Sequence, residues 1–425
     1  ANDLAPRLKA AAATGVGPTS ISDAILRLRG SLHSGRRYRI DQYDLEKAFY
    51  SIRVLPRSAT DGRVLKIWIR CGSIWFSSSC LVFGTSAGPL SLNYSQLTLL
   101  TIMRHILSST PISSVWIPVM DDFVVITEIK AESHKVTRTT EICMEILWEL
   151  TGFRCPPSKR ASWSSTTEQR WLGAHWTYDA ETGQLAMRRP SCEAIINKMS
   201  KREVYRAAGK FLLFTFGAAE SASRAHADAM RRIAGKWPDW DTVCTDTEQC
   251  AQIQSHLECG KQHWADCYVE DQNLSLLGSV TKVVVEVDGS QEGHGFIAID
   301  ASDLSDDEDR SQLTKINSRV IIAEAKAFSE KHLGWHANRR ELTAIAFAMK
   351  RIDDIRLALP SLVVVIIRTD SRVATGQTDP WSRVATKSVE RKALLRLRGV
   401  VVETAFDWQL HGVKTRVQHI SGKSN

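Results

Sequence analysis

The chain has 425 residues, of which 43% are hydrophobic and 24% charged, and its formal net charge is +8. These proportions are typical of folded globular proteins and exclude wholesale disorder. No stretch approaches the ~18 uncharged apolar residues of a membrane span, and the N-terminus lacks the apolar segment of a secretory signal. Nine cysteines without a repeating spacing argue against a secreted disulfide framework. We therefore expect an intracellular protein, in the cytoplasm, the nucleus or both, without a membrane partner.

The length suggests two or three domains, and the lack of an initiator Met predicts a piece of a longer protein. Residues 1–40 hold seven basic and two acidic side chains, a local net charge of +5. Such an excess is either a solvated basic face or a surface that binds a polyanion, nucleic acid first. Composition alone leaves both interpretations open.

Hydrophobic patterning predicts the first elements in residues 1–178, where helical segments alternate with short β-prone runs. Arg63–Arg70, Ser73–Ser77 and Phe123–Thr127 are such runs. Residues 181–278 are rich in Ala, Glu, Lys, Arg and His, and we predict a mostly helical region without a strong strand.

The C-terminal region shows a different pattern. The apolar run Lys282–Val287 is followed by an amphipathic helix from Asn338 and by a second apolar run, Leu362–Ile367. A strand, a helix and a second buried strand in this order predict an α/β unit.

Three acidic residues of the first region stand at the ends of predicted strands. Asp121 and Asp122 lie between two β-prone runs, which predicts a hairpin, and Asp44 follows the β-prone Tyr38–Ile40. Because turns favour Asp, the pair alone could be an ordinary acidic turn.

Together with their surroundings, these acids resemble the polymerase region of reverse transcriptases. Five motifs occur in the family's order over about 130 residues: Asp44 with Ala48 and Phe49, Phe83-Gly84 with Pro89, Met120-Asp121-Asp122, Gly152-Phe153 with Lys159, and the primer-grip-like Trp171-Leu172-Gly173. Val119, Gly88 and Asn93 depart from the family's usual residues.

The resemblance implies roles for these residues. Asp44, Asp121 and Asp122 would hold two Mg²⁺ ions, with Mn²⁺ as an alternative, for nucleotidyl transfer. Phe49 would exclude a ribose 2′-hydroxyl, and Lys159 would protonate the leaving pyrophosphate unless it is an ordinary surface lysine. The substrate-contacting set would comprise Phe49, Phe83, Gly84, Pro89, Trp171, Leu172 and Gly173.

A second set of acids lies in the α/β unit. Asp288 ends one predicted strand, Glu341 lies on the helix, and Asp370 ends the other strand. Each also has a structural interpretation: Asp288 in a hairpin turn, Glu341 in a capping box with Asn338, and Asp370 as a helix cap.

This order resembles RNase H, with His419 similar to the family's mobile histidine. The resemblance implies that Asp288, Glu341 and Asp370 hold two further Mg²⁺ ions for hydrolysis of the RNA strand of a hybrid. The family's fourth acid would fall about four residues beyond Asn425, so we expect a C-terminally incomplete domain.

Polymerase followed by RNase H is the order in retroelement Pol polyproteins, here most similar to gypsy-like, DIRS-like or VIPER-like elements. We expect an α/β and α+β multidomain fold: partial fingers and palm in 1–180, thumb and connection in 181–278, RNase H in 279–425. The partners implied are an RNA template, a DNA primer, an RNA/DNA hybrid and dNTPs, with a homodimer or other Pol and Gag products as further options. The alternatives are a catalytically impaired or domesticated nucleic-acid-binding scaffold and an unrelated two-domain metal-dependent nuclease.

A cysteine and histidine cluster lies outside these motifs. Cys244, Cys250, Cys259, His263 and Cys267 fall within 24 residues. Their spacing matches neither a zinc knuckle nor a zinc finger, so the pattern alone assigns no metal.

Overall fold

The structure is a computed structural model, and its chain forms two compact units. The first consists mainly of residues 35–171 and 176–184, and the second mainly of residues 185–425. The structure describes residues 21–52, 67–71, 74–78, 80, 92, 95, 98–99, 101–102, 105, 114–129, 133–188, 194–211, 218–266, 272–304, 319–328, 332, 334–379 and 390–421.

Up to residue 188 strands predominate. The helices are α1 (Ile21–Gly30), α2 (Ala48–Ser51) and α3 (Ser133–Thr151). The strands are β1 (Tyr38–Asp44), β2 (Ile67–Cys71), β3 (Ile74–Ser78), β4 (Ser114–Val119), β5 (Asp122–Glu128), β6 (Arg160–Ser162), β7 (Gln169–Trp171), β8 (Ala174–Asp179) and β9 (Gln184–Arg188). An antiparallel sheet has the order β4-β5-β1-β6, and β2 pairs with β3.

The β4-β5-β1-β6 sheet is anchored by an aromatic core. Tyr43 of β1 and Phe123 of β5 are buried together with Trp116, Met144 and Trp148. The rings of Tyr43 and Trp148 meet edge-on, with their centroids 5.3 Å apart. Large aromatic side chains bury much apolar area, so this core fixes the strand ends where β1 and β5 carry their acids.

The second unit combines helices with a mixed sheet. The helices are α4 (Lys201–Lys210), α5 (Ala218–Gly235), α6 (Thr247–Asp266), α7 (Ala337–Asp354), α8 (Arg372–Thr378) and α9 (Arg391–Leu410). The strands are β10 (Gln272–Leu274), β11 (Lys282–Gly289), β12 (Gly293–Asp300), β13 (Val320–Ala327), β14 (Val364–Thr369) and β15 (Lys414–His419). The sheet order is β13-β12-β11-β14-β15, in which β14 runs parallel to both of its neighbours.

Helix α7 covers this sheet, contacting β11 and β12. Its buried side chains Leu342, Ile345 and Met349 are spaced three to four residues apart and form one apolar face. Antiparallel β11–β12–β13 joined to parallel β11–β14–β15 through this helix is the α/β unit that the C-terminal pattern predicts, and that prediction is confirmed.

The helical prediction for 181–278 is incomplete. Helices α4, α5 and α6 lie there, but the region also contains β9 and β10, which pair with each other. Neither short strand contains a Val, Ile, Thr or aromatic residue, so β-propensity gave no signal for them.

Two further observations concern the described part of the chain. Within it, no helix is both long and apolar enough to cross a membrane. The cysteines described as free thiols are Cys80, Cys143, Cys155, Cys244, Cys250 and Cys259.

Candidate functional site

The first acidic cluster forms where β1 meets the β4–β5 hairpin. Asp44 and Asp122 are direct partners across the antiparallel β1–β5 pair. The amide of Leu45 donates a hydrogen bond to the carbonyl oxygen of Asp121, at 2.9 Å. Strand pairing therefore brings Asp44 to the same sheet edge as Asp121 and Asp122, which are 77 and 78 residues away in sequence.

The hairpin turn that carries Asp121 has a strained backbone. Val119 pairs with Asp122, which leaves Met120 and Asp121 as a two-residue turn. Met120 has φ 56°, in the left-handed region that non-glycine residues seldom occupy. Such conformations cost on the order of 1 kcal/mol or more and persist only when the surrounding structure imposes them.

Lys159 lies against the same acids. It ends a short 3₁₀ helix, Pro157–Lys159, that leads directly into β6, the neighbour of β1. Its Nζ donates a hydrogen bond to Oδ2 of Asp44 at 2.5 Å. That hydrogen bond raises the pKa of Lys159, helped by attraction to Asp121 and Asp122. The lysine is therefore a protonated group beside the cluster.

Charge repulsion is visible at Asp122. The pKa of Asp122 is raised to about 6, first by burial and then by the negative charges of Asp121 and Asp44, against the opposing effect of Lys159. Carboxylates crowded in this way favour a bound cation, and hard oxygen donors suit Mg²⁺. The three acids thus fit the metal-binding role predicted for them.

The predicted substrate-contacting residues are only partly described. Phe49 lies in α2, but its side chain is outside the described part of the structure, as are Phe83, Gly84 and Pro89 altogether. Leu172 and Gly173 form the turn between β7 and β8, with φ of 51° and 83°. This two-residue turn with positive φ at both positions suits a tight hairpin.

Trp171 is a core residue. Its side chain is 1% exposed, and its ring packs edge-on against Trp163 and Trp176 at centroid distances of 5.8 and 5.7 Å. The Trp176 indole donates a hydrogen bond to the Trp171 carbonyl oxygen. The indole of Trp171 is therefore packed in the core next to the turn. The turn residues Leu172 and Gly173 are more accessible than Trp171.

The second acidic cluster brings together Asp288, Glu341 and Asp370, each with one carboxylate oxygen within 4.8 Å of the others. Adjacent parallel strands place their carboxyl ends at the same sheet edge. Because Glu286 of β11 is level with Arg368 of β14, Asp288 and Asp370 are level too. Glu341 reaches them from the first turns of α7.

Gly289 allows the strand to approach the helix this closely. A Cβ atom at this position would lie 2.8 Å from the carbonyl carbon of Arg340 and 3.0 Å from the amide nitrogen of Glu341. Real Cβ atoms essentially never come so near to backbone atoms. The glycine after Asp288 is therefore a requirement of the cluster's geometry.

Glu341 is the electrostatically strained member of this cluster. Burial raises its pKa to about 7, with contributions from Asp288 and Asp370, while Arg340 opposes them. Its Oε2 is buried without a hydrogen-bond partner among the described residues. A buried acceptor without a donor is costly, and a metal ion bound by the three acids would satisfy it.

The structural alternatives for Glu341 and Asp370 are wrong. The N-cap of α7 is His336, whose ring accepts from the amide of Asn338, so no capping box involves Glu341. The N-cap of α8 is Ser371, which accepts from the amide of Ala374. Asp288 does precede a hairpin, since β11 pairs with β12 up to Gly289, but it belongs to the cluster as well.

His419 stands at the same edge. It is the last residue of β15, level with Thr369, the residue before Asp370. The amide of Ile420 donates to the Thr369 carbonyl oxygen at 2.9 Å, which holds the two strand ends together. The His419 side chain is exposed, and residues 422–425 lie outside the described part.

Arg340 was missed by sequence reasoning. Its Nε and Nη1 are buried without a hydrogen-bond partner among the described residues, next to Glu341, whose pKa it lowers. Its sequence signal was its place directly before Glu341, in a run that with Asn338, Glu341 and Leu342 resembles the helix motif of RNase H domains from retroelements, but no role was assigned to it.

Comparison with known proteins gives structural neighbours only. No protein-family model and no curated protein sequence matches the chain. A structure of the foamy viral protease-reverse transcriptase with an RNA/DNA hybrid matches with a TM-score of 0.56 and 12% identity, covering 95% of this chain and 46% of that one. Two further foamy viral structures with double-stranded DNA, one of a form designated dRH, match at 0.51 and 13%, covering 93% of this chain.

The chain spans 59% of the dRH form and 70% of the other. At these identities the likeness establishes the fold. The chain therefore has a mixed α/β fold like that of a reverse transcriptase.

Proposed function

We propose that the chain is an RNA-directed DNA polymerase with a fused RNase H. It would copy retroelement RNA into DNA and degrade the RNA strand of the resulting hybrid. The observation that carries the proposal is a pair of separate acidic clusters. Strand pairing brings Asp44, Asp121 and Asp122 together in one unit. In the other unit Asp288, Glu341 and Asp370 have ligand atoms within 4.8 Å of one another. A single metal-dependent nuclease activity would need only one of them.

Each centre would hold two Mg²⁺ ions, or Mn²⁺ in their place. Bound there, the metals would supply Lewis-acid activation of a hydroxyl or water and neutralise phosphate charge. In the first centre Asp44 and Asp122 would be ligands from adjacent strands and Asp121 a ligand from the turn. In the second, the buried Oε2 of Glu341 would be one of the ligand atoms.

Protons are handled by the chain's own groups. Lys159, protonated and about 40% exposed beside Asp44, can donate a proton to the leaving pyrophosphate. His419, exposed at the edge that carries Asp370, can exchange a proton with the cleaved strand as it leaves. Both groups stand beside the acids rather than among them.

The substrates follow from this assignment. The structural neighbours were solved with an RNA/DNA hybrid or double-stranded DNA, which supports an RNA template, a DNA primer and their hybrid as partners here. Phe49 would select dNTPs, and the turn at Leu172 and Gly173 would contact the primer, with Phe83, Gly84 and Pro89 in the nucleotide site. We assign palm and partial fingers to 1–180, thumb and connection to 181–278, and RNase H to 279–425.

Primer extension tests the polymerase. The full chain is assayed with Mg²⁺ on an RNA template, alongside Asp121→Asn and the control Glu149→Gln, which removes an exposed carboxylate elsewhere in the same unit. We expect extension by the wild type and control and none by Asp121→Asn.

Equal extension by Asp121→Asn and wild type would refute the assignment. Tight binding of the hybrid without extension by any of the three proteins would instead favour a nucleic-acid-binding scaffold.

A further inference from the structure

Three histidines meet between α5 and α6, and none of them belongs to either acidic cluster. His226 of α5 contacts His256 and His263 of α6. All three side chains are partly buried. Neither proposed activity uses them.

A close contact between α5 and α6 determines which residues of the two helices lie opposite each other. The Ser223 hydroxyl donates to the Gly260 carbonyl oxygen at 3.0 Å, and a Cβ at Gly260 would lie 3.2 Å from the Phe211 ring and 3.5 Å from the Cβ of His226. His256 and His263 lie about one helical turn on either side of Gly260. The side chain of His226 is thereby placed between them.

The geometry of the pair suits a metal ion. Nδ1 of His226 and Nδ1 of His256 form a hydrogen bond of 3.0 Å, so one of the two rings carries a proton on Nδ1. Zinc would replace that proton, and the ring would then carry its proton on Nε2. With Zn–N distances of 2.0–2.1 Å, a tetrahedral zinc ion separates two nitrogen ligands by about 3.3 Å, so a small adjustment would admit it. The ring of His263 stacks on His226 at 5.4 Å with planes 16° apart, which limits rotation of the His226 ring.

Imidazole nitrogen is a preferred ligand of zinc. Each ring presents a lone pair on Nδ1 when its proton is on Nε2.

We propose that His226 and His256 form a Zn²⁺ site that links α5 to α6. Their Nδ1 atoms are the two protein ligands, water fills the remaining positions, and His263 is a positioning residue that holds the His226 ring. Bound zinc stabilises the helix pair, because an ion that binds the folded state selectively opposes unfolding. The site does not depend on the proposed polymerase or RNase H activity.

Zinc titration of the metal-stripped full chain tests the site, without nucleic acid and with Mg²⁺ in large excess to occupy the carboxylates. The proteins compared are the wild type, His226→Gln, His256→Gln and the control His411→Gln, which removes an exposed imidazole of the same unit. We expect the wild type and control to bind one zinc ion that each pair variant binds at least tenfold more weakly. Zinc should raise the melting temperature of the wild type and control only.

Two outcomes would overturn the site. One is wild-type zinc affinity in both pair variants, and the other is an equal loss in His411→Gln. Melting temperatures of the four metal-free proteins show whether each variant is folded, so that a loss of affinity is assigned to the missing imidazole. A cobalt spectrum of the wild type without nitrogen-ligand bands would also contradict the proposal.

Discussion

The two acidic centres differ in how their negative charge is compensated. In the first unit Lys159 donates a hydrogen bond to Asp44, and the pKa of Asp122 is raised to about 6. In the second, Glu341 has a pKa of about 7 and a buried oxygen without a described partner. In the first centre a lysine is therefore hydrogen-bonded to one of the acids, whereas in the second Arg340 lowers the pKa of Glu341 but no described residue donates a hydrogen bond to its Oε2.

The two clusters also bring their acids together in different ways. A strand pair and a hairpin turn gather the first set, with Lys159 hydrogen-bonded to Asp44. A glycine contact between strand and helix holds the second set with ligand atoms within 4.8 Å. Changes at the second centre should therefore act through geometry and desolvation, and changes at the first through charge.

Glu341→Gln should have the largest effect. Loss of the buried ligand should lower hybrid-RNA cleavage about 10³-fold, equivalent to about 4 kcal/mol of transition-state stabilisation. Extension should stay within twofold of the wild type. Cleavage of a labelled hybrid measures the effect, with the exposed Glu403→Gln as the charge-matched control. Cleavage by Glu341→Gln at the wild-type rate would show that Glu341 is not a metal ligand of the second centre.

Lys159→Ala should lower the maximal extension rate by roughly 10²-fold, because a positioned acid is lost. The same change should reduce the Mg²⁺ concentration needed for half-maximal extension, because Asp44 no longer has a competing cation. Extension rates measured across a magnesium titration report both effects, and the exposed Lys198→Ala is the control. An unchanged rate and magnesium dependence would make Lys159 an ordinary surface lysine.

Gly289→Ala should lower cleavage by up to about 10²-fold through misplacement of Asp288. The clash with the Arg340 backbone should also destabilise the second unit by about 1–3 kcal/mol. Gly376→Ala is the matched control, since a Cβ there meets nothing within 4 Å. Denaturant unfolding and cleavage rates together measure the result, and normal cleavage by Gly289→Ala would contradict the close contact.

The smallest predicted effect is on the pH dependence of the melting temperature of the metal-free protein. The folded-state pKa of Glu341, about 7, lies above its ordinary value of 4.5, so folding favours the protonated form. Its stabilising contribution is complete below about pH 4.5 and is lost as the pH rises through 7. The metal-free melting temperature should fall by a few degrees over that range, and Glu341→Gln should flatten the curve. An equal slope in both proteins would argue against a strained Glu341.

The sequence predicted the elements with strong periodicity. The hairpin around Asp121 and Asp122 and the α/β unit with the buried stripe of α7 are both present. Apolar residues spaced every two positions indicate a strand, and those spaced every three to four indicate a helix. These patterns are local and indicate which side chains face a core. Strands β9 and β10 are too short to show such a pattern of apolar residues.

Side-chain partners were beyond sequence reasoning. The ion pair between Lys159 and Asp44 joins residues 115 positions apart, and the unpartnered oxygen of Glu341 depends on the burial of α7 against the sheet. The meeting of His226 with His256 required the packing of two helices, and the cluster noted in the sequence contained only the third histidine, His263. Long-range packing determines these features, and no local pattern encodes it.

One measurement tests the central claim that each unit holds its own metal-dependent centre. Extension and hybrid cleavage are measured in the same preparations of the wild type, Asp121→Asn and Asp288→Asn, with Mg²⁺ present. We predict that Asp121→Asn loses extension and keeps cleavage, while Asp288→Asn loses cleavage and keeps extension. Loss of both activities in either variant, or of neither in both, would contradict two independent centres.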